Sequence, residues 1–262
     1  MRPFSVSMGF VTPAIIGEDG VTLDAILLGE KAVRTDDDSA AAWLRQVVAH
    51  TDGVPHTSRG FFRWNSVTAD GGAIAGGYVG VTKAMIVERE LRGYDLPEIP
   101  GINGRRKIVK STLSNVINHY SARNLESVSF FGVGDISEIR LALADVVGIG
   151  KLRNSGYGRI DRNTPIQIEE YSDSDPSRHG LVGSNGLPVR QIPMSVWNTL
   201  GAGGVGRNAR VRVKMARARP PYWDDKTPIE ACVVPDHDDL DRAYRDGLFS
   251  ETEAPDEDGL WS

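Results

Sequence analysis

The sequence contains a single cysteine, Cys232, among 262 residues. One cysteine excludes an internal disulfide framework and is typical of proteins from a reducing compartment. The sequence also lacks an apolar run of 18 residues, which excludes a membrane-spanning helix. Its first residues lack the long apolar core of a signal peptide. We therefore expect a cytoplasmic protein that makes no membrane contact.

Signatures of metal, cofactor or catalytic sites are also scarce. The five histidines show no metal-ligand spacing with one another or with Cys232, and no Ser-His-Asp or paired-carboxylate arrangement stands out. The run Gly201–Gly206 has the spacing G-x-G-x-x-G, but a strand-like stretch follows it where a dinucleotide site needs a helix. Gly150 and Lys151 do not form a nucleotide-hydrolysing phosphate loop, because Leu152 follows the lysine. We expect no metal and no cofactor.

Positive charge is not in excess over the whole chain, whose formal net charge is −5. The acids are concentrated in residues 236–262, which hold ten Asp and Glu against two Arg. The preceding residues carry 28 bases against 25 acids, with the cations in clusters. Acidic, aromatic-poor tails usually stay solvated, so the net charge does not exclude a nucleic-acid partner. We divide the chain into one domain, residues 1–235, and an acidic C-terminal helix or tail, residues 236–262.

The apolar pattern predicts alternating strands and helices. Phe4, Val6, Met8 and Phe10 alternate with small or polar residues, which is the period of a strand with one buried face. Thr22 is a candidate cap for a helix over Leu23–Ala32. The same reasoning predicts helices over 37–50, 111–121 and 136–147, a hairpin over 73–89, and strands over 59–64, 127–133, 157–168, 187–197 and 207–219.

This order of elements suits a ferredoxin-like (RRM-like) α+β unit with inserted hairpins. If the domain consists of two such halves, the linker at residues 97–104 is their boundary. Phe61, Phe62 and Trp64 are either core and subunit-contact residues or platforms for stacked bases, and we favour the first. We also expect Val147 to face inward and a β-bulge between Lys214 and Arg217, where the cations change register.

The stretch Gly148–Arg159 combines four glycines with three cations. Glycine reaches positive φ and lets another backbone approach closely. Lys151, Arg153 and Arg159 supply charge for a polyanion. Tyr157 supplies a flat ring that either stacks on a base or packs beneath the loop. This composition favours a phosphate chain over a small apolar ligand.

Two further stretches concentrate cations. The first precedes the predicted helix over 111–121, whose N-terminus adds partial positive charge. The second lies on the predicted strand over 207–219. Each is either an RNA-facing surface or a solvated basic face. The candidate RNA contacts are Arg105, Arg106, Lys107 and Lys110 in the first stretch, and Arg207, Arg210, Arg212 and Lys214 in the second.

Four stretches resemble a known family. The pattern G-x-G-K-x-R-x-x-G-Y-G-R of Gly148–Arg159 is similar to the glycine-rich loop of the repeat-associated (RAMP) superfamily of CRISPR proteins. Within it, the best match is the subunit that caps the 5′ end of the guide RNA in type IV effector complexes. Phe4–Leu28 resembles that family's first strand and helix, Gly104–Ser111 its basic segment, and Phe130–Asp135 the strand before the loop.

The resemblance implies a RAMP fold and a non-catalytic RNA-binding subunit rather than an enzyme. It also implies that the loop holds phosphates of the 5′ handle of the guide RNA (crRNA), whose base pairing reads the target DNA. The implied protein partners are a repeated backbone subunit, a large subunit and an accessory helicase. The loop residues that it assigns to RNA are Gly148, Gly150, Lys151, Arg153, Asn154, Gly156, Tyr157, Gly158 and Arg159.

Two other functions stay open at the level of sequence. Some proteins of the same superfamily cut guide RNA with a histidine as general base, and His119, near the basic segment, is the candidate here. The other function is an unrelated enzyme whose glycine loop binds a phosphorylated metabolite. RNA binding is expected to fall steeply with salt, whereas metabolite binding is expected to depend on salt only weakly.

Overall fold

The computed structural model describes residues 1–17, 20–64, 78–85, 116–170, 179–183, 186–200, 212–222 and 227–234. Over these residues the chain is a mixed α/β fold with antiparallel sheets. The helices are α1 (Leu23–Ala32), α2 (Asp37–Val47), α3 (Ile136–Leu143) and α4 (Met194–Thr199). The strands are β1 (Arg2–Gly9), β2 (His50–Thr51), β3 (Val54–Pro55), β4 (Phe61–Trp64), β5 (Tyr78–Met85), β6 (Val116–Arg123), β7 (Leu125–Gly134), β8 (Gln167–Glu170), β9 (Ile192–Pro193), β10 (Arg212–Ala216) and β11 (Glu230–Val234).

The largest sheet has four antiparallel strands in the order β4-β7-β1-β8. β1 is central and pairs with β7 along its whole length and with β8 on its other side. The strand period predicted for β1 is confirmed, because Phe4, Val6 and Met8 are buried. The expectation that Phe61 and Phe62 are core residues is confirmed as well, since both side chains are buried.

Three helices pack with this sheet in one apolar cluster. Leu27 of α1, Leu44 of α2 and Ile139 of α3 are each 0% exposed and share the cluster with Phe130 of β7. The predicted helix Leu23–Ala32 is confirmed as α1, although the Thr22 side chain makes no capping hydrogen bond. α2 and α3 begin after aspartates whose carboxylates accept from backbone N–H groups of the first turn.

Two predicted elements around the second hairpin are wrong. The helix over 111–121 is contradicted at residues 116–121, which belong to β6, and residues 111–115 lie outside the described residues. The branched residues Val116 and Ile117 favour a strand. The hairpin over 73–89 has the wrong partner, because β5 pairs with β6.

Three further boundaries differ from the sequence pattern. α3 ends at Leu143, so Val147 is 52% exposed rather than turned inward. Of the stretch 157–168, only the last two residues belong to a strand, β8, because residues before it are held by isolated bridges to neighbouring loops. The extended stretch over 187–197 ends early, since α4 begins directly after Pro193.

A smaller sheet has the strand order β10-β11-β9. β10 pairs with β11 without interruption from Arg212 opposite Val234 to Ala216 opposite Glu230. The predicted bulge is therefore wrong within β10, which ends before Arg217. Cys232 of β11 is buried and packs as a small apolar residue. The predicted boundary at 97–104 and the acidic residues 236–262 lie outside the described residues.

Candidate nucleic-acid interface

The glycine-rich stretch 148–159, here called the glycine loop, lies against the segment that follows β1. The backbone N–H of Gly158 donates to the Pro13 carbonyl at 2.8 Å, and that of Lys151 donates to the Ile15 carbonyl at 2.8 Å. The Thr12 hydroxyl donates to the Gly156 carbonyl at 2.8 Å and accepts from the Arg159 N–H at 2.9 Å. These bonds fix both arms of the loop onto the edge of the core.

Two of the loop glycines are required by close backbone approach. Gly150 has a φ of 98°, and a Cβ built there would lie 2.5 Å from the Ile15 carbonyl oxygen. Gly158 has a φ of 64°, and a Cβ would lie 2.0 Å from the Ile149 carbonyl oxygen. The glycines therefore let the loop pack against its neighbours. The N–H groups of Gly156 and Gly158 donate to protein carbonyls, so they are not open to a ligand in this conformation.

The tip of the loop, residues 152–154, has an unusual backbone. Leu152 adopts a left-handed conformation with a φ of 57°, and the 3-10 turn Arg153–Ser155 follows it. A left-handed residue is uncommon for a bulky side chain. Successive N–H groups in such a turn form a concavity that binds anions. Within the described part of the chain, the N–H groups of residues 152–154 donate to no carbonyl.

The three predicted cations of the loop are all exposed, but their partners differ. Nη1 of Arg153 lies 2.7 Å from Oε1 of Glu30 on α1 and also donates to the Gly148 carbonyl at 3.4 Å. Lys151 and Arg159 form no ion pair with any described residue. Tyr157 is half-buried, and Asn154 is exposed beside Arg153. The tip therefore presents two unpaired cations beside its N–H groups.

The other predicted RNA contacts are only partly described. Arg105, Arg106, Lys107, Lys110, Arg207 and Arg210 lie outside the described residues. Arg212 is exposed at the start of β10, and Lys214 is half-buried two residues later. Alternate residues of a strand share a face, so both lie on the face opposite Val213 and Met215. Those two apolar side chains are 55% and 64% exposed.

Two cavities border the N-terminal half of α1. The loop cavity, of about 290 Å³, lies between α1 and the glycine loop and is bordered by Lys151 and Arg153. The strand cavity, of about 480 Å³, lies between α1 and β10 and is bordered by Lys214 and Arg217. The structure thus brings two of the predicted cationic stretches to the two sides of one helix.

A buried polar network beside the strand cavity escaped the sequence analysis. Arg190 and Asp24 are 1% and 0% exposed, and Nη1 of Arg190 lies 3.1 Å from Oδ1 of Asp24. The same Nη1 donates to Thr57 Oγ1 at 3.0 Å, and Nη2 donates to the Tyr222 hydroxyl at 2.8 Å. Tyr222 in turn donates to Asp24. No sequence pattern connects these four residues, because the contacts are long-range.

Electrostatics within the network follow from its burial. Burial opposes the charged form of Arg190, but the carboxylate of Asp24 outweighs it, and the pKa of Arg190 is raised. Burial also raises the pKa of Tyr222, which therefore stays neutral. The network is a structural ion pair with satisfied hydrogen bonds, and its acid has no open position for a substrate.

The histidines do not assemble a described catalytic centre. His119 lies on β6, but its side chain lies outside the described residues. Burial lowers the pKa of His179 to about 4 and also lowers the pKa of His50. Among the described residues, no group of three or more His, Cys, Asp or Glu could hold a metal ion. The helices of the described chain are too short and too polar to cross a bilayer.

Comparisons with known proteins bear on the stretch that contains the glycine loop. Residues 105–181 match the model of the family described as CRISPR type IV associated protein Csf3. The predicted resemblance is confirmed over these residues. The Csf3 match covers the cations Arg105–Lys110 as well as the loop, and it leaves the N-terminal segment and β10 outside. No curated protein matches the chain.

A solved structure also matches at low similarity. It is a chain of the "Cryo-EM structure of the Type III-B Cmr-beta bound to cognate target RNA", with 11% sequence identity and a TM-score of 0.33. The match covers 64% of the present chain and 61% of that chain.

Proposed function

We propose that the chain is a non-catalytic RNA-binding subunit of a type IV CRISPR ribonucleoprotein, and that its glycine loop holds the 5′ handle of the crRNA. One observation carries the proposal. Within the stretch that matches Csf3, the loop tip places the N–H groups of residues 152–154 beside Lys151, which has no ion-pair partner among the described residues.

The loop chemistry suits a phosphate backbone. Backbone N–H groups and cations bind phosphate oxygens without reading the base, so they hold RNA in place whatever its sequence. Arg159 adds a second cation without a described ion-pair partner, and Arg153 adds a third that phosphate must take from Glu30. Sequence recognition is left to the base pairing of the guide.

We further propose a RAMP-like, ferredoxin-like arrangement for the main sheet. Its strands follow one another as β1, β4, β7 and β8, with α1 and α2 after the first and α3 after the third. The spatial order β4-β7-β1-β8 and the antiparallel pairing support this arrangement. In the complex, the chain would contact the repeated backbone subunit and the large subunit, and an accessory helicase would act with the assembled particle.

The test is binding of labelled crRNA over a series of salt concentrations. We expect Lys151→Glu/Arg159→Glu to lower affinity at least about tenfold and to reduce the slope of log affinity against log salt by about 0.7 for each lost phosphate contact on a single strand. Arg45→Glu/Arg140→Glu is the matched control, because it reverses two exposed cations on α2 and α3. This control should change affinity much less.

Two outcomes would contradict the proposal. Equal loss of affinity in both double variants would show a general charge effect and no grip by the loop. Cleavage of the RNA that is abolished by His119→Ala would instead favour the endoribonuclease, so intact RNA is scored in the same samples. Tight binding of a phosphorylated metabolite with weak salt dependence would favour the third function.

A further inference from the structure

The two cavities beside α1 are parts of one groove. Gly20, Val21 and Ala25 border both the loop cavity and the strand cavity. All three are half-exposed, so the surface over them is open to a ligand. We call this continuous surface the α1 groove. It connects the glycine loop with β10, although these segments are far apart in the sequence.

The distribution of charge along the α1 groove indicates the shape of its ligand. Lys151 and Arg153 border one end, and Lys214 and Arg217 border the other. The residues shared between the two ends are small and carry no charge. A compact phosphorylated metabolite is held by cations that converge on one point. Cations at both ends of an apolar floor suit an extended polyanion with apolar faces, which describes a single strand of nucleic acid.

The floor of the groove is also low. Ala25 and Gly29 are four residues apart and therefore lie on the same face of α1. Gly29 borders the loop cavity, and a Cβ built there would meet nothing within 4 Å. Small side chains at these positions leave room for a strand to cross close to the helix backbone.

We propose that the α1 groove carries a single strand of RNA from the glycine loop across α1 to β10. The inference rests on the proposed function and extends it, because it places the Lys214 stretch on the same strand path as the loop. It also assigns an RNA-facing role to Ala25 and Val21, which neither the motif nor the match to the Csf3 family includes.

Ala25 allows a test that leaves every natural cation in place. We expect Ala25→Lys to strengthen crRNA binding several-fold and Ala25→Glu to weaken it by a similar factor, with opposite changes in the salt slope. Leu141→Lys and Leu141→Glu form the matched control pair, since Leu141 is 67% exposed on α3. Both control variants should bind within about twofold of the wild type, because exposed charges beyond a Debye length are screened.

The outcomes separate this inference from the function on which it rests. If the Ala25 pair behaves like the Leu141 pair while Lys151→Glu/Arg159→Glu abolishes binding, RNA contacts the loop only, and the groove path is overturned. If the wild-type protein does not bind crRNA at all, the proposed function fails. Gly29→Lys and Gly29→Glu repeat the test in open space, should thermal melting show that either Ala25 variant is unfolded.

Discussion

Nη1 of Arg153 lies 2.7 Å from Oε1 of Glu30, so a cation of the glycine loop is tied to α1. The carboxylate is the more enclosed partner, with 16% of the Glu30 side chain exposed against 40% of the Arg153 side chain. A partly exposed ion pair stabilises a protein by only about 0–1 kcal/mol. A phosphate that approaches the loop tip can therefore take over Arg153, and Glu30 opposes RNA binding by competing for it.

Removing this competitor should strengthen RNA binding. We expect Glu30→Gln to raise affinity for crRNA roughly threefold at low salt, which corresponds to about 0.7 kcal/mol, because Arg153 becomes available. Glu170→Gln is the control, since it frees the exposed Arg2 by the same change of charge. Equal gains from both variants in a binding titration would show that only net charge matters.

Gly158 and Gly156 should differ in their tolerance of alanine. Both have positive φ, which costs a side chain about 1 kcal/mol. A Cβ at Gly158 would lie 2.0 Å from the Ile149 carbonyl oxygen, whereas a Cβ at Gly156 would meet nothing within 4 Å. We expect Gly158→Ala to lower the free energy of unfolding by about 3 kcal/mol and Gly156→Ala by about 1. Similar urea midpoints for the two variants would contradict the described packing of the loop.

The buried pair Arg190–Asp24 should show strong coupling. Arg190→Met leaves the carboxylate of Asp24 buried without its main partner and is expected to cost about 3–5 kcal/mol of stability. The double variant Asp24→Leu/Arg190→Met should cost less than the sum of the two single variants, because no unpaired charge remains. A urea double-mutant cycle measures this coupling. Additive single effects would mean that the two side chains do not act as a pair.

His179 should contribute to acid denaturation. Burial lowers its pKa to about 4 from the ordinary value of 6.5. The unfolded chain therefore takes up a proton at a higher pH than the folded chain, and stability falls as the pH drops from about 6.5 towards about 4. His179→Phe keeps a ring beside Phe131 but cannot titrate. We expect its urea midpoint to fall less than that of the wild type between about pH 7 and about pH 4. Parallel losses in both proteins would rule out a role for His179.

Local sequence patterns predicted those elements whose causes are local. The alternation of Phe4, Val6 and Met8 sets the buried face of β1, and the apolar spacing over Leu23–Ala32 sets α1. The glycine loop was predicted for the same reason, since close backbone approach requires glycine wherever it occurs. The structure adds which carbonyls the glycines meet, namely those of Ile15 and Ile149.

Elements with long-range causes could not be predicted in this way. β6 was predicted as a helix because its partner, β5, lies more than thirty residues before it. The contacts of Arg190 with Asp24 and Tyr222 join three distant segments, and none of these residues is unusual in its own surroundings. The α1 groove depends on the same tertiary packing, because it requires β10 and the glycine loop to lie on opposite sides of α1.

The most direct measurement of the central claim is a photocrosslink from the RNA itself. A crRNA with a photoreactive nucleotide in its 5′ handle would be bound to the protein, irradiated, digested and analysed by mass spectrometry. The same nucleotide placed near the 3′ end is the control. We predict crosslinks from the 5′ handle within residues 148–159, and none there from the 3′ position. Crosslinks from the 3′ position to the loop, or from the handle only to other segments, would contradict the account.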